Sequence, residues 1–418
     1  MIKTLQSKNL RGIIDAPSSK SLAHRMIISS ALMLDRYDKI TVNGISNDVK
    51  ATISAINSIG GNVSIFDKNI VDISPIECYP GDLTMQVNES GTTLRLLLPV
   101  FCALGLRSEG CFVLDGELSK RPIKPLIEEL TKHGVKIRQK DNKIYAFGKL
   151  TCGDYTIPGD VSSQFISGLL MALPLLNGAS TLTIEGKIES KDYIALTEQV
   201  LIDSGIKFDK RENKYFIKGN QQYYPKQYQT VEGDWSSAAF FLCLGAIGQN
   251  PIGVRGLNEN SLQGDKRIIE ILKSFGAEIT KKDDVIWVKR GILKAQMIDA
   301  SQIPDLVPII SVVAAVSEGE TNIINAQRLK FKESNRLETT AKMLDALGAE
   351  VKVTDDGLKI TGKPMLSGGV TESYNDHRIA MSAAILSVCC EDKVTINGAE
   401  CTDKSYPEFW NDFSSLEA

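Results

Sequence analysis

A phrase that recurs along the whole chain constrains its fold more than any single motif. A helix-period apolar stretch, a glycine and a run of alternating apolar residues appear as AINSIGGNVSIF, EELTKHGVKIRQ, QVLIDSGIKFDK, EILKSFGAEITK and KMLDALGAEVKV. The glycines Gly60, Gly134, Gly205, Gly276 and Gly348 are spaced 74, 71, 71 and 72 residues apart. Each phrase reads as a helix closed by a C′ glycine and followed by a period-2 strand. A second phrase runs out of phase with the first, with small polar residues leading into about ten apolar or small ones. Its copies align at Ser19, Gly91, Ser163, Ser237, Asp305 and His377, with spacings of 72, 72, 74, 68 and 72. Six such units account for all 418 residues.

The second phrase predicts N-capped helices that are apolar on nearly all sides, so each is expected to lie buried among its neighbours. Each unit then holds one buried helix, one amphipathic helix and short strands such as DKITVNGI, CFVLDGE, STLTIEGK and KVTINGAE. Only five Gly-strand phrases exist, because the chain finishes in a helix-like PEFWNDFSSLEA. The N-terminal MIKTLQ is expected to supply the missing strand, which places both termini in one domain. Repeats alone are also compatible with a non-catalytic scaffold whose polar phrases serve only as caps. The charges at the helix starts separate the two readings.

A helix N-terminus presents unpaired N–H groups and partial positive charge, and so attracts anions. Here Lys20 and Arg25, Arg95, and Arg378 put cations in those first turns, where the dipole disfavours them, and so point to a further anion. LSKRPIKPL adds Arg121, and RLKFKESNRLETTAKML adds Arg328, Lys330, Lys332 and Arg336, with Glu333 among them. CTDKSYPEFW contributes Lys404. Yet 48 Lys and Arg stand against 51 Asp and Glu, a formal charge of −3. Cations gathered from distant segments of a net acidic chain suit a small, multiply anionic substrate and give no support for nucleic acid or a membrane surface.

Other chemistries lack a signature. Eight cysteines (Cys78, Cys102, Cys111, Cys152, Cys243, Cys389, Cys390 and Cys401) form no C-x-x-C pair, and three histidines (His24, His133 and His377) offer no metal-ligand spacing. Buried reduced thiols and no metal are expected. P-loop, G-x-G-x-x-G, G-x-S-x-G and H-E-x-x-H motifs are absent. Acid–base and electrostatic catalysis remain, with Asp305, Glu333, the lysines and His377 as candidates. No apolar run approaches the roughly 20 residues of a membrane span, and the first residues lack a secretory leader's pattern, so a cytoplasmic protein is expected.

In order along the chain, APSSKSLAHR, NESGTTLRLL, KRPIKPL, VSSQFISGLL, IPD, FKESNR, NDHRIAMS and CTDKSYPEF resemble the motifs of the 5-enolpyruvylshikimate-3-phosphate synthase family. The resemblance implies an α/β fold of two domains, each an inside-out barrel of three βαβαββ-type units. The expected division is residues 1–18 plus 233–418 and residues 19–232, with the active site in the cleft between them. It implies transfer of the enolpyruvyl group of phosphoenolpyruvate to the 5-hydroxyl of shikimate 3-phosphate, in the shikimate pathway to aromatic amino acids. Phosphate is released by addition and elimination through a tetrahedral intermediate, without metal or organic cofactor. A monomer with small-molecule partners only is expected.

Carried over motif by motif, the resemblance assigns Lys20, Ser21, Arg25, Thr92, Ser162, Ser163, Gln164, Ser190, Tyr193, Asp305, Arg328 and Lys332 to shikimate 3-phosphate. Lys20, Gly91, Arg121, Gln164, Arg336, Arg378 and Lys404 fall to phosphoenolpyruvate, and Asp305, Glu333, Lys20 and Lys332 to the chemistry. Two phosphates and two carboxylates bring together roughly six negative charges, which is why so many Lys and Arg are required. Glu89, Arg328 and Leu96 depart from the family pattern, which often has a small amide, an asparagine and a proline there. The sister UDP-N-acetylglucosamine enolpyruvyl transferases carry Lys-Asn where this chain reads SKS, and a loop cysteine where it reads LSKRPIKPL. The remaining alternative is a non-catalytic anion-binding member of the same fold. It would be favoured by loss of Lys20, Asp305, Glu333 or Lys404, and all four are present.

Overall fold

A computed structural model describes residues 1–6, 9–34, 37–67, 69–77, 81 and 83–416. The chain forms two compact units, one of Met1–Ser19 with Glu232–Ala418 and one of Lys20–Val231.

The middle repeat of the Lys20–Val231 unit shows the plan. Strand Leu83–Asn88 leads into helix Gly91–Leu104, strand Gly110–Leu114, helix Lys124–Lys132 and the hairpin Val135–Lys140 and Lys143–Gly148. In the sheet, Gly110–Leu114 pairs in parallel with Leu83–Asn88 and antiparallel with Lys143–Gly148, whose other edge holds Val135–Lys140. This βαβαββ unit buries the first helix on the inner face of its sheet and leaves the second amphipathic. Four more sheets repeat the same four-strand order, and a sixth has three strands. In that sheet Val394–Asn397 pairs in parallel with Gly369–Glu372 and antiparallel with Ile2–Leu5. The N-terminal segment therefore supplies the strand that the last repeat lacks, as its sequence led one to expect.

Each unit keeps its apolar core inside three sheets. Helices Lys20–Ala31, Gly91–Leu104 and Ser163–Ala172 lie in one core, and Trp235–Ile247, Val307–Ala315 and His377–Leu386 in the other. Helices inside and sheets outside invert the usual α/β barrel. Trp235–Ile247 is buried over its whole length, which explains why its sequence shows no polar face. Ser90, Ser162, Asp234 and Asp376 cap their helices with side-chain oxygens. Asp305 departs from the cap expectation. It lies in the 3-10 turn Pro304–Leu306, and the helix that follows has no side-chain cap.

All five repeat glycines have positive φ, from 77° at Gly205 to 109° at Gly276. A Cβ at Gly276 would sit 2.2 Å from the Ile292 carbonyl oxygen, whereas at Gly205 the nearest atom is 3.9 Å away. Gly276→Ala therefore combines backbone strain with a clash, and Gly205→Ala carries strain alone. Urea denaturation is expected to show a loss of about 1–2 kcal/mol for Gly205→Ala and a clearly larger one for Gly276→Ala. Equal losses would remove the clash from this account.

The thiol expectation needs one correction. Cys102, Cys243, Cys389, Cys390 and Cys401 are buried, but Cys111 is half-buried and Cys152 is exposed. Cys152 follows strand Lys143–Gly148 by four residues. Cys78 lies outside the described residues.

Candidate active site

In the Lys20–Val231 unit, three buried helices start with the polar phrase, and the first two of them carry cations near their starts. Lys20 Nζ donates to Asp48 Oδ2 at 2.8 Å, in the first turn of helix Asn47–Ser58. One turn on, His24 Nδ1 shares a 2.6 Å hydrogen bond with Thr52 Oγ1, which meets Thr93 Oγ1 at 2.7 Å. Burial pushes the His24 imidazole down to about 3, so it is neutral at physiological pH.

Arg25 is 1% exposed. It is held by the Thr197 and Ser167 hydroxyls at 2.7 and 3.2 Å and by the main-chain oxygens of Ser21 and Tyr193 at 2.7 and 3.2 Å. Every one of these acceptors is neutral, so the guanidinium charge is oriented without being cancelled. Burial lowers it to about 10. It remains a cation and a ready partner for an anion.

At the second helix start, Gln164 Nε2 donates to Thr92 Oγ1 at 2.8 Å, and Arg95 Nη1 donates to Gln164 Oε1 at 2.9 Å. A Cβ at Gly91 would lie 3.0 Å from Arg95 Nη1 and 3.1 Å from Arg121 Nη1. Glycine here leaves the helix start open to two guanidinium groups, which suits a backbone-bound anion. Ser162 caps helix Ser163–Ala172, and Ser163 is buried beside it. Ser190 adopts φ +54° before helix Lys191–Asp203, and its hydroxyl does not cap that helix. A non-glycine residue in that conformation is strained, as residues at functional sites often are.

The other unit assembles a second group. Arg336, at the start of helix Arg336–Ala346, is 1% exposed and fully surrounded by carboxylates. Its Nη1 donates to Asp305 Oδ1 at 2.8 Å, and its Nη2 to Glu333 Oε2 at 2.6 Å. Asp376 takes two further bonds, from Nε at 2.8 Å and from Nη2 at 3.2 Å. Lys332 Nζ reaches Asp305 Oδ1 at 3.3 Å, and Arg378 Nη1 donates to the Asp305 carbonyl at 2.9 Å.

Burial alone would raise the Asp305 carboxyl, but Lys332, Arg378 and Arg336 together hold it well below the usual carboxylate range. Burial lowers Lys332 to about 8, against the pull of Asp305. Lysine and carboxylate thus form an adjacent pair in which the lysine exchanges protons near neutral pH. Arg328 is half-buried, close enough for its charge to lower Lys332 further. Lys404 is buried at the end of the 3-10 turn Ala399–Lys404. Among the described residues, no cluster of three or more His, Cys, Asp or Glu is arranged to hold a metal ion. No helix among them is long and apolar enough to cross a membrane.

The sequence-derived residues thus fall into two groups, one in each unit. What sequence reading missed are their partners: Asp48, Ser167, Thr197, Asp376 and Ser236, whose hydroxyl accepts from Arg378 Nη2 at 2.7 Å. Arg95 was singled out as a cation but not as a site residue. Asp376 stands inside the NDHR motif and could have been found there, whereas Asp48 and Thr197 lie in stretches with no motif.

Helices enclosed by sheets, with lysine and arginine near the starts of several, define an α/β repeat protein built to hold anions. The enolpyruvyl transferase NikO from Streptomyces tendae has this fold, with a TM-score of 0.80 at 15% identity over 99% of this chain and 97% of that one. EPSP synthase from Acinetobacter baumannii aligns with a TM-score of 0.81 at 25% identity, covering 100% of this chain and 98% of that chain. The sequence pattern of the EPSP synthase (3-phosphoshikimate 1-carboxyvinyltransferase) family matches residues 5–413. The 3-phosphoshikimate 1-carboxyvinyltransferase of Clostridium acetobutylicum is 42% identical over 97% of this chain and 95% of its own length. That of Clostridium perfringens is 41% identical over 97% and 96%. The chain belongs to the EPSP synthase family and is a transferase.

Proposed function

We propose that this protein transfers the carboxyvinyl group of phosphoenolpyruvate to the 5-hydroxyl of shikimate 3-phosphate and releases phosphate, as a step toward aromatic amino acids. The observation that carries the mechanism is the buried cluster of Asp305, Lys332, Glu333 and Arg336, in which acid, base and counter-charge are already assembled. In this reading Asp305 takes the proton of the attacking hydroxyl. Lys332, Glu333 or Lys20 delivers one to the methylene carbon, and elimination reverses the transfers.

Arg25 with Ser21, Thr92, Ser162, Ser163, Gln164, Ser190, Tyr193 and Arg328 binds shikimate 3-phosphate, and Lys20, Gly91, Arg121, Arg336, Arg378 and Lys404 bind phosphoenolpyruvate. The two compact units act as the two domains of the enzyme, and residues of both serve one pair of substrates. Arg336 spends four of its five N–H groups on carboxylates. It contributes mainly by keeping those acids ionised and fixed. The enzyme works as a cytoplasmic monomer on small molecules, with neither metal nor organic cofactor.

Phosphate release that requires phosphoenolpyruvate and shikimate 3-phosphate together tests the activity. Release with UDP-N-acetylglucosamine in place of the phosphoshikimate would overturn the acceptor, and no release with either acceptor would overturn the reaction. Arg121→Ala and Lys404→Ala test the division of labour. Each is expected to raise KM for phosphoenolpyruvate ten- to hundredfold, the worth of a charge-assisted hydrogen bond of roughly 1.5–3 kcal/mol. KM for shikimate 3-phosphate should change far less. The reverse pattern would exchange the two substrates.

A further inference from the structure

His24 is a buried titratable group that the mechanism above does not use. It lies one turn into helix Lys20–Ala31, and with Thr52, Ser90 and Thr93 it is fully buried. These side chains form an unbroken line. His24 Nδ1 meets Thr52 Oγ1 at 2.6 Å, Thr52 Oγ1 meets Thr93 Oγ1 at 2.7 Å, and Thr93 Oγ1 donates to Ser90 Oγ at 2.7 Å. The line runs from helix Lys20–Ala31 through helix Asn47–Ser58 to the start of helix Gly91–Leu104. It ends on the cap of that last helix, because Ser90 Oγ also accepts from the Thr93 main-chain N–H at 3.2 Å.

Counting protons gives the line a direction, since a hydroxyl has only one to give. Thr93 gives its own to Ser90, with the Asp48 carbonyl farther off at 3.4 Å, so Thr93 must accept from Thr52. Thr52 in turn must accept from His24, which places the ring proton on Nδ1. Nε2 is left bare, and it is buried with no hydrogen-bond partner. The other tautomer would bury an unpaired N–H there. Burial, against the charge of Asp48 and with help from Lys20 and Arg25, keeps the ring neutral. Both lone pairs of Ser90 Oγ are thus filled, which fixes the serine rotamer and the turn that begins at Gly91.

We infer that His24 is a positioning residue: acting through Thr52 and Thr93, it fixes the Ser90 cap and holds the helix start at Gly91 in the form that receives phosphoenolpyruvate. The inference rests on the reading of Gly91 as a phosphoenolpyruvate contact. Without the ring donor, Thr93 can turn its proton back to Thr52 or to the Asp48 carbonyl, and the main-chain amide alone then holds the Ser90 oxygen. Arg25 adjoins His24 in the chain, but it is held by Thr197, Ser167 and two main-chain oxygens, so the line does not run through it. The Lys20–Asp48 pair joins the same first two helices one turn nearer their starts. Cutting the line should therefore loosen the cap without parting those helices.

The test is KM for phosphoenolpyruvate at saturating shikimate 3-phosphate. Thr52→Val keeps the branched shape and removes the relaying hydroxyl. It should raise that KM about three- to tenfold, the worth of one neutral hydrogen bond, with kcat little changed. His24→Leu should do the same, and the double variant should be no worse than either, because one line can be cut only once. His24→Asn carries an amide N–H where the ring carries Nδ1–H, and should bring KM back close to the wild-type value. A wild-type KM in Thr52→Val, or effects that multiply in the double variant, would overturn the inference. A lower melting temperature with KM unmoved would reduce the line to packing and overturn it equally.

The histidine tautomer supplies a readout free of turnover. In water a neutral imidazole carries its proton mainly on Nε2. Long-range proton–nitrogen NMR spectra of the ligand-free protein should instead show His24 protonated on Nδ1, its signal assigned by its loss in His24→Asn. A proton on Nε2 would overturn the directed line. A wild type that releases no phosphate would sink the proposed function, while the tautomer would still judge the line from His24 to Ser90.

Discussion

Asp305→Asn is expected to lower turnover about 10²–10⁴-fold while shikimate 3-phosphate still binds, the result for loss of a general base. Asparagine keeps the shape of the side chain and an oxygen that can accept from Arg336 Nη1 and Lys332 Nζ, now at 2.8 and 3.3 Å. It removes a negative charge from a pocket of cations, so affinity for an anionic substrate should hold or increase. Three neighbouring cations keep Asp305 ionised but also make it a weak base in the empty protein. An incoming anion that engages Lys332 and Arg378 weakens that hold and raises its basicity as the reaction begins. Ligand affinity by calorimetry and kcat by phosphate release, measured on the same variant, separate binding from chemistry. Near-normal turnover would leave Asp305 a positioning group and move the base to Glu333 or Lys332.

Arg336→Ala should be the most destabilising single change in this cluster, costing roughly 3–5 kcal/mol in chemical denaturation, as expected for a buried ion pair stripped of one partner. Arg336 and Asp376 are 1% and 0% exposed in their side chains, so water cannot replace the lost guanidinium. Arg336→Lys should recover little, because a single compact ammonium cannot reproduce the four bonds that the three nitrogens of the planar guanidinium make to Asp305, Glu333 and Asp376. The pH dependence should change as well. A carboxylate held below its usual range adds stability that is present at neutral pH and is lost as pH falls through its lowered value. Wild-type stability should therefore decline in acid, below the ordinary range of Asp305, and the variant should show a smaller decline. A loss under about 1 kcal/mol would mean that the three carboxylates are served by other partners.

Much of this was legible before any coordinates. The 72-residue period placed the buried helices, and Gly60, Gly134, Gly205, Gly276 and Gly348 marked where the amphipathic helices stop. The shortage of one strand led to Ile2–Leu5 beside Val394–Asn397. These features are written locally. Caps, positive φ and apolar period each depend on residues a few positions apart, and repetition six times over reinforces each one.

Which charges neutralise which was not legible. Lys20 finds Asp48, Arg336 finds Asp376 forty positions away, and Arg25 finds Thr197 across 172 residues. Asp376 sits in the NDHR motif, but nothing in the local pattern of Asp48 distinguishes it from the chain's other acids, and neither pattern names the cation it will meet. The distinction arises when helices pack, within one repeat or between two, bring these groups within 3 Å and exclude the water that would otherwise solvate them. Burial then makes a missing partner costly and sets the ionisation of Lys332 near neutral pH. The sequence by itself determined the repeat, its helices and strands, and the cationic residues that mark the family. The tertiary structure alone decided how those charges are held, because pairing and desolvation are properties of distance in space and not along the chain.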